Sequence, residues 1–160
     1  MKKLFEKIKQ FFRKMTEKKT KAGKKMEDVL YISLVLTEDS KRNLINTTMC
    51  YAPEWENGQI IAEHHTIAFY TSGLTEEIFN WAVKNEGRNF EVYAVEYGIS
   101  DKAFAVRLET NIPCANENKH ITVMINKETG GKAVDSNYIT DWFNMPVLPL
   151  NGYVKFNYKS

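Results

Sequence analysis

Cysteine is nearly absent from this chain: only Cys50 and Cys114 occur in 160 residues. No disulfide framework is available, and with no Cys-x-x-Cys pair two thiolates are not spaced to share a zinc ion. Both read as reduced thiols, so an intracellular, cytoplasmic compartment is expected. Long apolar runs are missing as well. The longest, such as residues 31–36 and 65–70, extend about six residues, far short of the ~20 that cross a bilayer as a helix. Near the start, apolar positions are broken by charge every one or two residues, so no continuous core of a secretory signal exists. There is no Gly-rich nucleotide loop, no His-x-x-x-His helix and no regularly spaced acidic cluster, which removes the commonest nucleotide and metal signatures. What the chain does contain is 43% hydrophobic and 12% aromatic residues, enough to bury one core in one domain with a tail.

Net charge is small, +2 from 22 basic and 20 acidic residues, yet it is unevenly distributed. Residues 1–25 carry eleven Lys or Arg against two acids, a local charge of +9, which leaves the remainder at −7 against a total of +2. Within that segment Leu4, Phe5, Ile8, Phe11, Phe12 and Met15 recur at spacings of three and four, one stripe of a basic amphipathic helix. The stripe could pack on its own domain or a second copy, lie on an anionic membrane surface, or serve as an arm for nucleic acid. Packing leads, because Phe-rich stripes mostly bury against protein. Residues 16–25 lack an apolar face and read as a solvated linker. The division is therefore residues 1–27 as helix and linker and residues 28–160 as the folded domain.

Along that domain, residues 29–36 read as a buried strand and residues 59–70 as another, after the Asn57-Gly58 turn signal. A short helix is expected around residues 40–45. Thr75 ahead of Glu76 and Glu77, with Ile78, Phe79, Ala82 and Val83 at helical spacing, marks a helix ending near Gly87. Residues 90–97 and 103–109 form a hairpin, and residues 121–125 a further strand. Ser136 caps a short helix to Phe143, Pro146 and Pro149 break regularity, and residues 153–158 close the chain as a strand.

Only three histidines exist, and two begin the same tetrad: His64-His65-Thr66-Ile67 and His120-Ile121-Thr122-Val123. Strand side chains alternate, so His64 and Thr66 share a face, as do His120 and Thr122, while Ile67, Ile121 and Val123 point into the opposite layer. If the two strands lie side by side, two imidazoles and two hydroxyls converge. That set suits phosphodiester cleavage without a metal or other cofactor. A neutral imidazole takes a proton from the attacking oxygen, and the other, protonated, supplies one to the leaving oxygen. The hydroxyls donate to the non-bridging oxygens as charge builds there. Either tetrad alone is more economically an ordinary strand sequence; the pair, 56 residues apart, is the signal. His65 should face away from His64 and serve structure.

The two His-x-Thr tetrads, His64/Thr66 and His120/Thr122, resemble those of the 2H phosphoesterase superfamily. Within it, Gly130-Gly131-Lys132 and Asp135-Ser136-Asn137 are similar to the cyclic phosphodiesterase domains of RNA-repair ligases and their phage relatives. The resemblance implies an α+β, two-lobed fold with antiparallel sheets lining a central cleft, here with the basic helix added. It also implies His64 and His120 as acid and base and Thr66 and Thr122 as phosphate clamps. Members open 2′,3′-cyclic phosphates, hydrolyse 2′-5′ linkages or linearise cyclic oligonucleotide signals. The expected partner is thus a nucleotide or RNA-end substrate, with no obligatory metal.

Beyond the tetrads, Lys132 is the preferred phosphate contact, ahead of Lys127 and Lys119, though each also reads as a solvated lysine. Ser136 and Asn137 either cap a helix aimed at an anion or simply cap it. Tyr138, Trp142 and Trp55 are available to stack a base, whereas Trp81 reads as packing. Two other readings remain open: a cleft that holds a phosphorylated ligand without turning it over, and a structural module targeted by its basic tail.

Overall fold

A computed structural model describes residues 1–16 and 18–160, with the backbone alone for residues 11–16. After helix α1 (Lys2–Thr16) come strand β1 (Val29–Leu36), α2 (Glu38–Thr48), β2 (Gly58–Ile60), β3 (His64–Phe69), α3 (Glu76–Asn85), β4 (Asn89–Ile99), β5 (Ala103–Glu109), β6 (His120–Asn126) and β7 (Trp142–Tyr158). Short 3₁₀ turns lie at Met26–Asp28 and Ala133–Tyr138. All strand pairs are antiparallel, in one seven-stranded sheet ordered β2-β6-β5-β4-β7-β1-β3. The expected α+β class holds, with one sheet where several were expected.

Local chemistry explains the helices. The Thr75 hydroxyl accepts from the Ile78 N–H at 3.2 Å, and Glu76 and Glu77 sit in the first turn of α3, where carboxylates complement the helix dipole. Thr37 caps α2 in the same way through Ser40 N–H at 3.2 Å. That cap makes α2 longer than the expected residues 40–45; its buried face is only Ser40, Leu44 and Thr48, too polar a stripe to read from periodicity.

Two departures shape the site. The stretch expected as one strand over residues 59–70 is two. Ile61 and Ala62 N–H groups donate to Val123 and Thr122 carbonyls on β6 at 2.8 and 3.0 Å, and then the Leu36 N–H takes the Glu63 carbonyl at 2.9 Å. The chain thus leaves one edge of the sheet for the other, turning at Ala62, whose φ of +46° lies in the left-handed region that costs a residue with a Cβ. The second departure is β7, which runs 17 residues where a helix, a proline break and a short strand were expected. Pro149 pairs with Tyr93 of β4, and β1 engages β7 only from Gly152 onward. Each proline therefore lies where one side of β7 is unpaired and its missing N–H breaks no ladder. Pro146 falls in the irregularity opposite Ala94 and Glu96.

The core is the inner face of the curled sheet, with Ile32, Leu34, Ile67, Phe104, Ile121 and Leu150 fully buried together with Leu44 from α2. The N-terminal helix does not join it: Leu4, Phe5 and Ile8 are 64%, 66% and 46% exposed. Packing of the stripe on its own domain is thus not observed for these residues, and the Phe11, Phe12 and Met15 side chains lie outside those described. Residues 20–24, read as solvated linker, form a docked turn. Tyr158 Oη donates to Thr20 Oγ1 at 2.9 Å, Thr20 is 4% exposed, and the Lys21 N–H meets Glu86 Oε2 at 3.2 Å. Among the described residues no helix is long and apolar enough to cross a membrane.

Candidate active site

The sheet register sorts the tetrads onto faces. On β3, His65 lies in register with Leu34, whereas His64 and Thr66 lie beside Val35 and Ser33. On β6, Ile121 lies beside Val106, while His120 and Thr122 lie beside Arg107 and Ala105. Ile67, Ile121 and Val123 are fully buried, as alternation requires. Curling of the sheet brings β3 and β6 to opposite walls of one cavity of about 610 Å³, lined by His64, Thr66, His120, Thr122 and Asn137 with Tyr31, Phe69, Asn116 and Glu117.

Each imidazole has a distinct setting. His64 stacks on Tyr31 with ring centroids 5.8 Å apart, and Tyr31 in turn lies 5.3 Å from Phe69. Burial pulls the His64 pKa below its ordinary value; the neighbouring Glu63 opposes this, and His120 and Lys155 add to it. His120 Nδ1 donates to the Asn118 carbonyl at 2.7 Å. A carbonyl only accepts, so the neutral ring keeps its hydrogen on Nδ1 and Nε2 is the atom free to exchange a proton. Burial lowers the His120 pKa too, against the opposing pull of that carbonyl.

His65 is 1% exposed and crosses between the walls: its Nδ1 donates to the backbone carbonyl of His120 at 3.1 Å. Burial pushes its pKa down to about 4, so it is neutral at pH 7. Further ties join the walls, from the Ala115 N–H to the Ile67 carbonyl at 2.9 Å and from Cys114 Sγ to the Thr66 carbonyl at 3.6 Å.

Ser136 was expected to meet a ligand, but it is fully buried and stands behind Thr122. Their hydroxyl oxygens are 2.8 Å apart, and Thr122 Oγ1 donates to the Ala133 carbonyl at 3.1 Å. Because a hydroxyl carries one proton, the consistent chain runs from Ser136 to Thr122 to Ala133. Ser136 therefore positions Thr122. Asn137 reaches the cavity, where its Oδ1 accepts from Asn116 Nδ2 at 2.6 Å, clasping the loop before β6 to the 3₁₀ turn after it.

Lys132, Tyr138 and Trp142 do not line this cavity. The Lys132 N–H caps the 3₁₀ turn through Asp135 Oδ2 at 2.7 Å, and Tyr138 is 74% exposed. Trp142 borders a neighbouring shallow depression that shares Glu117 and Asn137 with the first; Arg107 lies over its ring at 5.6 Å and pairs with Glu96. Gly131 is structural, since a Cβ there would come within 2.3 Å of the Lys102 carbonyl. Lys119 turns away, donating to the Thr110 and Ile112 carbonyls at 3.0 and 3.2 Å. Trp55 packs on the core and Trp81 on Phe90.

Sequence reasoning missed Lys155. It is exposed on β7, in register with Ser33 and hence one strand removed from Thr66, and its charge reaches His64. Nothing in the local sequence marks it; only the pairing of β7 with β1 does. Asn116 and Glu117 were closer to hand, as a polar loop four residues before His120. Among the described residues no three His, Cys, Asp or Glu side chains gather as a ligand set for a metal.

No family model matches the chain, and no curated protein matches it significantly. Among solved structures it is similar to one described as a fungal RNA kinase, with a TM-score of 0.57 and 14% sequence identity over 82% of this chain. The chain spans 46% of the length of that protein. The likeness is one of fold.

Proposed function

We propose that the chain is a two-histidine phosphodiesterase of the 2H type, acting on a nucleotide-linked phosphodiester such as an RNA-end 2′,3′-cyclic phosphate or a cyclic oligonucleotide. The observation that carries this reading is that His64, Thr66, His120 and Thr122 line one cavity, with Nε2 as the proton-exchanging atom of His120. Similarity of fold to a protein described as an RNA kinase agrees with a substrate drawn from RNA ends. In the proposed step, one imidazole accepts a proton from water as its oxygen bonds to phosphorus. The other, protonated, gives its proton to the ribose oxygen as the P–O bond breaks, leaving a phosphomonoester and a free hydroxyl. The bound anion offsets the depressed pKa values, because a negative charge nearby favours the imidazolium. Thr66 and Thr122 steady the non-bridging oxygens, with Ser136 donating to Thr122 so that the Thr122 proton can swing from Ala133 to the phosphate. The Tyr31 and Phe69 wall beside His64 offers a surface for a base.

The test is turnover of 2′,3′-cyclic nucleotides and of cyclic di- and trinucleotides in excess EDTA. Activity should persist with chelator and fall by at least about a hundredfold in His64→Ala and in His120→Ala. Loss with EDTA, or survival in the double variant, contradicts the mechanism. Calorimetric binding without product would make the cleft a sequestering site instead.

A further inference from the structure

We propose that α1 is a docking element for an anionic lipid surface. Successive residues of a helix are offset by about 100°, which sets Leu4, Ile8 and Phe5 within one arc of roughly that width, with Lys7 on one flank and Lys2 and Lys9 on the other. All three apolar side chains face solvent, at 64%, 46% and 66% exposure, and Lys9 Nζ sits 6.0 Å from the Phe5 ring centroid at the border of the stripe. A narrow apolar face bordered by lysines is the pattern of helices that lie in the plane of a membrane interface, apolar side chains among the acyl chains and cations at the headgroups.

Charge selects the occupant. The first turn of α1 holds no acidic residue, so the positive end of the helix dipole has only lysines beside it, an arrangement unfavourable in water and relieved by external negative charge. A second copy would bring lysine-rich borders against lysine-rich borders. Nucleic acid would use the cations and leave Leu4, Phe5 and Ile8 in water. An anionic bilayer engages both. Residues 26–160 carry −7 and are repelled by the same surface, so adhesion falls to the N-terminal segment, while the turn at residues 20–24, held by Tyr158 and Glu86, keeps the domain close.

The full chain is sedimented with vesicles of phosphatidylcholine alone and of phosphatidylcholine with phosphatidylglycerol. Partition onto the anionic vesicles should exceed that onto neutral ones by about tenfold or more, weaken with added salt and vanish in Phe5→Glu/Ile8→Glu. Those positions are exposed, so the near-ultraviolet circular dichroism of the variant should match the parent. Absence of partition onto anionic vesicles, or equal partition by the double variant, overturns the proposal. So does self-association, or retention on RNA, that depends on Phe5 and Ile8 without lipid binding.

Discussion

The Nδ1–H of His65, on β3, donates to the main-chain carbonyl of His120, on β6, across 3.1 Å, so a residue of the first tetrad holds the backbone of the second. This tie is made by the neutral ring, whose pKa of about 4 lies below histidine's ordinary 6.5. Above pH 6.5 neither the folded nor the unfolded chain is protonated there. As pH falls from 6.5 to about 4 the unfolded chain binds a proton that the folded chain refuses, so stability is lost across that window, by up to about 3 kcal/mol. Urea unfolding from pH 7.5 to 4 should show the loss, and His65→Asn, which can keep the donor without titrating, should remove most of it. An unchanged slope in the variant would deny His65 this role.

Catalysis should follow a bell-shaped pH profile, one imidazole being needed neutral and the other charged. Burial lowers both pKa values, so the kcat/KM profile should be centred on the acid side of 6.5. The two limbs belong to the coupled pair. A profile centred well above neutrality would contradict the buried setting of the rings.

Ser136 never meets solvent, yet it should affect turnover. Ser136→Ala removes the hydrogen bond that frees the Thr122 proton, and kcat should fall roughly tenfold, about 1.4 kcal/mol, with KM little changed. Thr122→Val should cost about a hundredfold. Equal effects on kcat and KM, or a matching loss of thermal stability, would reduce Ser136 to packing.

Lys155 and Lys132 should differ. Removing the Lys155 charge, as in Lys155→Met, takes away one of the influences that lower the His64 pKa, so the NMR titration of His64 should move upward and KM for an anionic substrate should rise severalfold. Lys132→Met should leave both within error, since that side chain is outside the cavity.

Much of this arrangement is legible in the sequence, and the reasons are local. Alternation along a strand is enough to put His64 with Thr66 and to turn His65 inward, and Thr75 with Glu76 and Glu77 announces α3. What escapes the sequence is set by distant pairing. The break at Ala62 arises because β2 bonds to β6 while β3 bonds to β1, and the apolar stretch around it shows no seam. Pro146 and Pro149 argue against a strand until it is seen that β7 lacks a second neighbour there. Ser136 looks like a cap by residue type; that it backs Thr122 depends on the turn folding under β6. Lys155 lies 91 positions beyond His64 and joins it only through β1.

The length of β7 carries a mechanical consequence. Its first part is laced to β4, and through β5 to the strand bearing His120; its last part is laced to β1, and through it to the strand bearing His64. One continuous spine therefore sets the spacing of the two imidazoles, and neither wall can swing as an independent leaf. Hydrogen exchange in the paired amides of β7 should be the slowest in the molecule, released only when the whole protein opens.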